Sequence, residues 1–331
     1  MGAFIGNNAA AAFLRNALAA GMGAHAYLLT GPSQIGKCTL AKRAAATLVC
    51  TSRPEARPCG ACRSCDLVER DAHSDVRLTA PPEGGRRVLI AQIRQLEHEV
   101  ALRPYEAERK VAIVDGADTI VVEAANALLK TLEEPPEDTV LFLTASDVSQ
   151  VLPTIASRCQ EVPLRPVPAS EIESALLDLG CDAAHARLLA RLAAGRPGWA
   201  LAALENAAPL ETRQQQLDLL EDLMARPAVA RLSAGGSFPD TAAARSALDT
   251  WQTWWRDALY VREGCADLVV NVDRMEALQS VGASAADCWR AVRRVQDARE
   301  QLDANANVRL AIESLLLELP ASASTAAAAI R

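Results

Sequence analysis

A glycine-bounded loop between an apolar run and a helical pattern constrains the fold of this chain more than any other feature. The segment GPSQIGK, residues 31–37, follows a predicted strand at Ala26–Thr30 and opens a predicted helix. In that setting GxxxxGK is a phosphate-binding loop, because its backbone N–H groups and the helix N-terminus attract an anion. Gly31, Gly36 and Lys37 would then hold the phosphates of a nucleotide such as ATP. The alternative, a glycine-rich turn with a chance lysine, is disfavoured by the flanking strand and helix.

Short apolar runs alternate with helical patterns through the first half of the chain. Each run spans about five residues and is bounded by turn signals. We predict strands at 26–30, 76–80, 110–114 and 140–145, and a weaker one at 160–164. Strands that alternate with helices predict an α/β domain with a parallel sheet, covered by helices on both faces.

Strand signals end near residue 167, and the rest of the chain has helical periodicity. We predict a P-loop domain at 1–167, a small helical domain at 168–207 and a larger helical domain at 208–320. Ser170 and Glu173 have the spacing of a capping box at the start of the small domain. Residues 321–331 lack periodicity and are expected to be disordered. Residues 1–25 are expected to form one helix.

The positions that should handle magnesium and water depart from the usual pattern. A P-loop places Ser or Thr after its lysine as a magnesium ligand, but Cys38 stands there, and a neutral thiol is a poor ligand for a hard cation. Thr39 has a hydroxyl, but it points about 100° away along the helix. The apolar run 110–114 ends in Asp115, a second magnesium position, yet Gly116 replaces the expected glutamate. Asp118 is a weak substitute. We expect nucleotide binding with poor hydrolysis.

Four cysteines lie close together in a polar segment. Cys50, Cys59, Cys62 and Cys65 have the spacing C-x8-C-x2-C-x2-C, which is typical of tetrahedral zinc with four thiolates. Such a site is structural, because no coordination position is left open. Buried free cysteines are the alternative. Core packing is the default for the scattered cysteines, and the histidines show no cluster. The remaining cysteines are Cys159, Cys181, Cys265 and Cys288.

Charge and hydropathy exclude several classes of protein. The net charge of -7 argues against a chain built mainly to bind DNA, including a DNA-binding regulator that would use the cysteine module. No stretch of about 20 uninterrupted apolar residues is present, so we expect no membrane span. The N-terminus lacks the basic opening of a signal peptide. We therefore expect a cytoplasmic protein with reduced thiols.

The order of these motifs resembles one family. The P-loop, the inserted four-cysteine module, the string NALLKTLEEPP at 126–136, the string SRC at 157–159 and the segment LDANANVRL at 302–310 occur in sequence. This set is similar to the bacterial DNA polymerase III clamp-loader subunits, which comprise the γ/τ motor and the δ′ stator. The resemblance covers nearly the whole chain and implies the AAA+ fold, with a helical lid and a helical collar.

Departures from the motor pattern favour the stator type. Cys38 and Gly116 replace residues of the motor, and Gly198 stands where its sensor arginine would fall. With these three changes in the catalytic machinery, the chain resembles δ′ more than the motor subunit. The alternative is a divergent, active ATPase of the γ/τ type.

The resemblance also implies roles and partners. Arg158, in the SRC string, would act in trans as an arginine finger on the nucleotide of the neighbouring γ/τ subunit. The alternative is that Arg158 simply pairs with a surface carboxylate. The chain would join γ/τ and δ in a hetero-pentamer that loads the sliding clamp on primed DNA. It would be part of the polymerase holoenzyme without polymerising DNA, or hydrolysing ATP efficiently, itself. Thr144 matches a sensor position.

Three tryptophans share one predicted helix face. Trp251, Trp254 and Trp255, with Leu259, have the spacing i, i+3, i+4 and i+8. This pattern indicates a packing stripe in a core or a subunit contact rather than a ligand site.

Overall fold

Five short strands form one parallel sheet. The protein is described by a computed structural model that covers residues 4–19, 23–82, 87–232, 236–304 and 306–320. The strand order is β2-β3-β4-β1-β5, with every neighbouring pair parallel. All five predicted strands are present, within about one residue of the expected bounds. The strands are β1 Ala26–Thr30, β2 Val76–Thr79, β3 Lys110–Val114, β4 Thr139–Ala145 and β5 Gln160–Pro163.

Burial explains why the three central strands are easy to find in the sequence. Every residue of β1, β3 and β4 is buried, because helices cover both faces of the sheet. Edge strands β2 and β5 are partly exposed. Tyr27 and Phe142 are register partners on adjacent strands, and their rings stack with centroids 5.4 Å apart. The predicted parallel α/β fold is confirmed.

Helices of the first unit lie on the two faces of this sheet. One face packs alternate strand residues, such as Leu28 and Leu141, against the fourth and fifth helices. The second helix, which follows the glycine-bounded loop, contacts β1, β3 and β4. These helices are α1 Asn8–Ala19, α2 Lys37–Val49, α3 Arg63–Glu69, α4 Ile90–Ala101, α5 Val122–Glu133, α6 Pro153–Ala156 and α7 Ala169–Asp178.

Two local expectations are wrong. The first helix begins only at Asn8, because Gly6 has φ +71° and a Cβ there would lie 2.4 Å from a methyl group of Val167. Residues 1–3 and 20–22 lie outside the described residues. Helix α7 is capped by Pro168, so Ser170 lies inside the helix and forms no capping box.

In the part of the second compact unit that the structure describes, the regular elements are all helices. The contacts divide the chain into Met1–Gly180 with Gly195–Gly198, and Cys181–Ala194 with Trp199–Arg331. The predicted boundaries at 167 and 207 stay a prediction, and the predicted tail 321–331 lies outside the described residues. None of the described helices combines the length and apolarity that crossing a membrane requires. The remaining helices are α8 Ala183–Leu192, α9 Pro197–Glu205, α10 Ala208–Met224, α11 Ala228–Arg231, α12 Thr241–Arg262, α13 Met275–Ser280, α14 Ala285–Asp303 and α15 Val308–Glu318.

The tryptophan stripe of α12 forms the core of this second unit. Trp251, Trp254 and Trp255 are 0% exposed, and Leu259 packs against the same cluster. The indole N–H of Trp251 donates to the carbonyl of Gln216 at 2.9 Å. The stripe is therefore a core, the first of the two predicted roles.

We predict that Trp254→Ala lowers the free energy of unfolding by about 3–5 kcal/mol, because it removes a fully buried aromatic side chain and leaves a cavity. Trp289 provides a matched control, since 53% of its surface is exposed. Trp289→Ala is expected to change stability by less than about 0.5 kcal/mol. Urea unfolding followed by circular dichroism measures both; equal losses in the two variants would contradict the assigned core.

Candidate functional site

The glycine-bounded loop joins the end of β1 to the start of α2. Gly31 has φ +142° and Gly36 has φ +103°, values that L side chains rarely adopt. A Cβ on Gly31 would also lie 2.5 Å from the carbonyl oxygen of Leu164. Helix α2 begins at Lys37, so its unpaired N–H groups point into the loop. The structure thus brings Gly31, Gly36 and Lys37 together as predicted, in the form of an anion cradle.

Lys37 is held by the loop itself. Its Nζ donates to the carbonyl oxygens of Gly31 at 2.6 Å and Pro32 at 2.9 Å. Burial lowers the pKa of Lys37, while the nearby carboxylates of Asp118 and Asp115 act in the opposite direction. A bound phosphate would have to replace these two carbonyls as the acceptors of the Lys37 hydrogen bonds.

Cys38 is a neutral thiol at neutral pH. Burial, with the charge of Asp115 as a second cause, raises the pKa of Cys38 to about 12. A protonated thiol has no affinity of note for a hard cation such as magnesium. Thr39 follows on the first turn of α2 and is half-buried.

Asp115 lies at the carboxyl end of β3 and is bonded to the neighbouring strand. Its Oδ1 accepts a hydrogen bond from the Thr144 hydroxyl at 2.5 Å, and that hydroxyl oxygen accepts one from the amide of Gly116 at 3.0 Å. Thr144 therefore positions Asp115 and Gly116, the two residues that follow β3. Asp118 accepts the amide of Ser146 at 2.8 Å and so also has a structural partner.

The backbone at Gly116 is unsuited to a glutamate. This residue has φ +90°, and a Cβ would lie 2.7 Å from the Thr119 hydroxyl oxygen. A side chain at this position is strained whatever its chemistry. A glutamate at position 116 would therefore require a different backbone turn.

Gly198 contacts the loop directly. Its amide donates to the carbonyl of Gln34 at 2.9 Å, and a Cβ on Gly198 would lie 2.8 Å from that oxygen. Gln34 itself has φ +59°. The sequence identified Gly198 only as a missing arginine; the structure shows a backbone contact that requires a residue without a side chain.

Arg158 is anchored on the surface of the first unit. Its guanidinium forms an ion pair with Glu133 at 2.6 Å and donates to the carbonyl of Thr154 at 2.8 Å and to the Ser157 hydroxyl at 3.5 Å. Glu133 is the last residue of α5 and the first glutamate of the LEEPP string. The alternative expectation, pairing of Arg158 with a surface carboxylate, is thus the contact observed, although the sequence did not identify Glu133 as the partner.

The four predicted cysteines converge. The Sγ atoms of Cys50, Cys59, Cys62 and Cys65 all lie within 4.8 Å of one another, and all four thiols are free. Backbone amides support the sulfurs: Cys62 N donates to Cys59 Sγ at 3.3 Å, and Cys65 N donates to Cys62 Sγ at 3.5 Å. This cluster could hold a metal ion.

Electrostatics differ across the four thiols. Hydrogen bonds from the Ser52 side chain and from the amides of Ala61 and Cys62 lower the pKa of Cys59 to about 5. Burial raises the pKa of Cys65 to about 12. A metal that binds all four sulfurs must displace the proton of Cys65, so binding releases acid.

The sheet order, the glycine-bounded loop with Lys37 and the acid at the end of β3 define a P-loop protein of the AAA+ class. A family model described as "DNA polymerase III, delta subunit" matches residues 6–168. The chain is 32% identical over 304 residues to the DNA polymerase III δ′ subunit of Bacillus subtilis, covering 89% of this chain and 90% of that relative. It is 44% identical to the Pseudomonas aeruginosa δ′ subunit over 149 residues, or 44% of this chain and 45% of the relative.

A second type of relative matches over a shorter span. The γ/τ subunit of Mycobacterium tuberculosis is 35% identical over 175 residues, which cover 52% of this chain and 30% of that protein. Only the δ′ relative from Bacillus subtilis, among these three, is matched over nearly its full length. The chain belongs to the family of DNA polymerase III δ′ subunits.

We predict that Gly198→Ala destabilises the loop, because the new Cβ would press on the Gln34 carbonyl. The expected loss is on the order of 1–3 kcal/mol, as for other overpacked sites. Hydrogen exchange of the loop amides and thermal unfolding measure it. Gly236→Ala is the control, since no atom lies within 4 Å of its Cβ position. Unchanged exchange in Gly198→Ala would show that the contact does not hold the loop.

Proposed function

We propose that this chain is the stator of a bacterial clamp loader. It would bind γ/τ and δ subunits in a hetero-pentamer and help to load the sliding clamp on primed DNA. This is a cytoplasmic role in DNA replication, in which the chain itself does not polymerise DNA. The observation that carries the proposal is a formed phosphate loop beside two positions, Cys38 and Gly116, that lack the groups needed to use it.

A weak ATPase follows from these two positions. Gly31, Gly36, Lys37 and the helix N-terminus can bind the phosphates of ATP. The neutral thiol of Cys38 does not supply a magnesium ligand, so of the predicted nucleotide-binding set only Asp115 could contribute to magnesium binding. Gly116 supplies no carboxylate to orient water. Nucleotide binding is therefore proposed without efficient turnover.

Arg158 is proposed as an arginine finger for the neighbouring subunit. Its side chain is 35% exposed and its partner Glu133 is 51% exposed, so their ion pair contributes at most about 1 kcal/mol. Such a pair is readily exchanged for the γ-phosphate of a nucleotide on an adjoining protein. The anchoring bonds to Thr154 and Ser157 keep the guanidinium at the surface. A guanidinium there would neutralise charge that develops during phosphoryl transfer.

Zinc is proposed as the metal of the four-cysteine site. Four thiolates suit zinc in a tetrahedral site, and the four Sγ atoms already lie within 4.8 Å of one another. All four positions would be filled by Cys50, Cys59, Cys62 and Cys65, so the role is structural. The ion would join the end of α2 to the start of α3.

We predict that Arg158→Ala lowers ATP hydrolysis by a loader reconstituted with γ/τ and δ by about a thousandfold at the affected site, the lower end of the range for arginine fingers. Arg158→Lys should restore little, because a point charge does not replace the planar fork. Arg70→Ala is the matched control, since Arg70 is 71% exposed and pairs with Asp66. Clamp-loading rates, zinc content and thermal unfolding are measured on the same proteins.

The alternative, an active γ/τ-type ATPase, gives a different result. Motor-like turnover by the purified chain alone, abolished in Lys37→Ala, would support that alternative and contradict the stator role. Failure of the chain to co-purify with γ/τ and δ would also contradict the stator role. Full loader activity with Arg158→Ala would refute the arginine-finger role of Arg158 but not the stator role.

We predict one tightly bound zinc per four-cysteine site. Cys59→Ser should lower zinc affinity, and chelation should lower the melting temperature of the first unit, because binding free energy is also folding free energy. Cys159→Ser serves as the control, since that residue lies outside the cluster. Metal analysis and calorimetry with and without chelator provide the readouts. Equal melting curves with and without chelator would argue against a structural metal.

A further inference from the structure

A second group of metal-binding side chains lies at the start of α8. Cys181, Asp182 and His185 each offer a ligand atom, and the three atoms lie within 4.8 Å of one another. Cys181 is half-buried, whereas Asp182 and His185 are exposed. All three residues belong to the second compact unit, far along the chain from the four-cysteine module. We propose that they form a second metal site, which binds a zinc-like divalent ion through three donors and leaves one coordination position open.

The donor types select the class of metal. A thiolate, an imidazole and a carboxylate together are a borderline-soft set, which suits zinc or cobalt and is unsuited to magnesium or calcium. Three protein donors leave the fourth tetrahedral position to water or to a donor from another molecule. This arrangement differs from the four-cysteine site, where the protein fills every position.

The helix cap holds the carboxylate of Asp182 against the first turn of α8. Asp182 is the N-cap of α8, and its Oδ1 accepts the amides of Ala184 and His185, each at 3.1 Å. A carboxylate has a second oxygen, so capping leaves Oδ2 as a ligand. The cap thus fixes the position of Asp182 relative to the first turn, which carries His185.

The four-cysteine module uses the same arrangement. Cys62 is the N-cap of α3, its sulfur accepts the amide of Cys65, and both residues belong to the cluster. In α8, Asp182 and His185 occupy the same two positions of the helix. An N-cap residue and the third residue after it therefore bring two donors together in both places. Cys181, directly before the cap, adds the third donor in α8.

Charge at the helix N-terminus is compatible with an ion bound in this way. The N-terminal end of a helix disfavours a cation. Here the thiolate of Cys181 and the carboxylate of Asp182 together balance the two positive charges of the metal. The bound group is then neutral overall, so the helix end does not oppose it strongly.

Cobalt titration of the full chain tests the site. The protein is first loaded with one equivalent of zinc at the four-cysteine site, and Co²⁺ is then added. We expect one further equivalent of Co²⁺, with a sulfur-to-cobalt charge-transfer band from a single thiolate. Cys181→Ser should abolish the band. His185→Ala should weaken binding by more than the roughly 10- to 100-fold that loss of an outer partner costs.

Two matched variants serve as controls. Cys265→Ser removes another half-buried thiol, and His98→Ala removes another exposed imidazole; both should leave the titration unchanged. Circular dichroism verifies that every variant is folded. No cobalt uptake beyond the first site, or a band that persists in Cys181→Ser, would overturn the proposal.

Discussion

Backbone packed against backbone at residues 31–36 is the constraint on which the rest of the site depends. The carbonyl of Leu164 closes one end of the loop against Gly31, and the amide of Gly198 holds its middle through Gln34. Neither contact leaves room for a side chain. Because β1 is buried between β4 and β5, the loop is positioned at the carboxyl edge of the sheet, beside Asp115 and Thr144.

The same sheet edge explains why a nucleotide fold can persist with altered chemistry. Asp115 has a structural partner in Thr144, Asp118 has one in the amide of Ser146, and Lys37 is satisfied by loop carbonyls. Each polar group that would serve catalysis is hydrogen-bonded within the chain. These groups therefore need no bound nucleotide to satisfy their hydrogen bonds.

Local patterns predicted most of this fold, and contacts distant in the sequence were not predictable. The three central strands are continuous apolar runs because both faces are covered, and the four cysteines lie within one short segment. By contrast, the late start of α1 depends on Gly6 meeting Val167, and the pairing of Arg158 with Glu133 depends on how α5 and α6 pack. The group at Cys181 was missed because core packing is the default for a scattered cysteine, and the histidines form no cluster in the sequence.

The conformation of Gly116 makes the altered site hard to reverse. A point mutation could restore a hydroxyl at Cys38, but a glutamate at Gly116 would meet a left-handed backbone and the hydroxyl of Thr119. Remodelling of that turn would have to come first, and by itself it brings no catalytic gain. A hydroxyl at position 38 alone would therefore leave the site without a carboxylate at position 116, and that carboxylate requires a new backbone turn over residues 116–119.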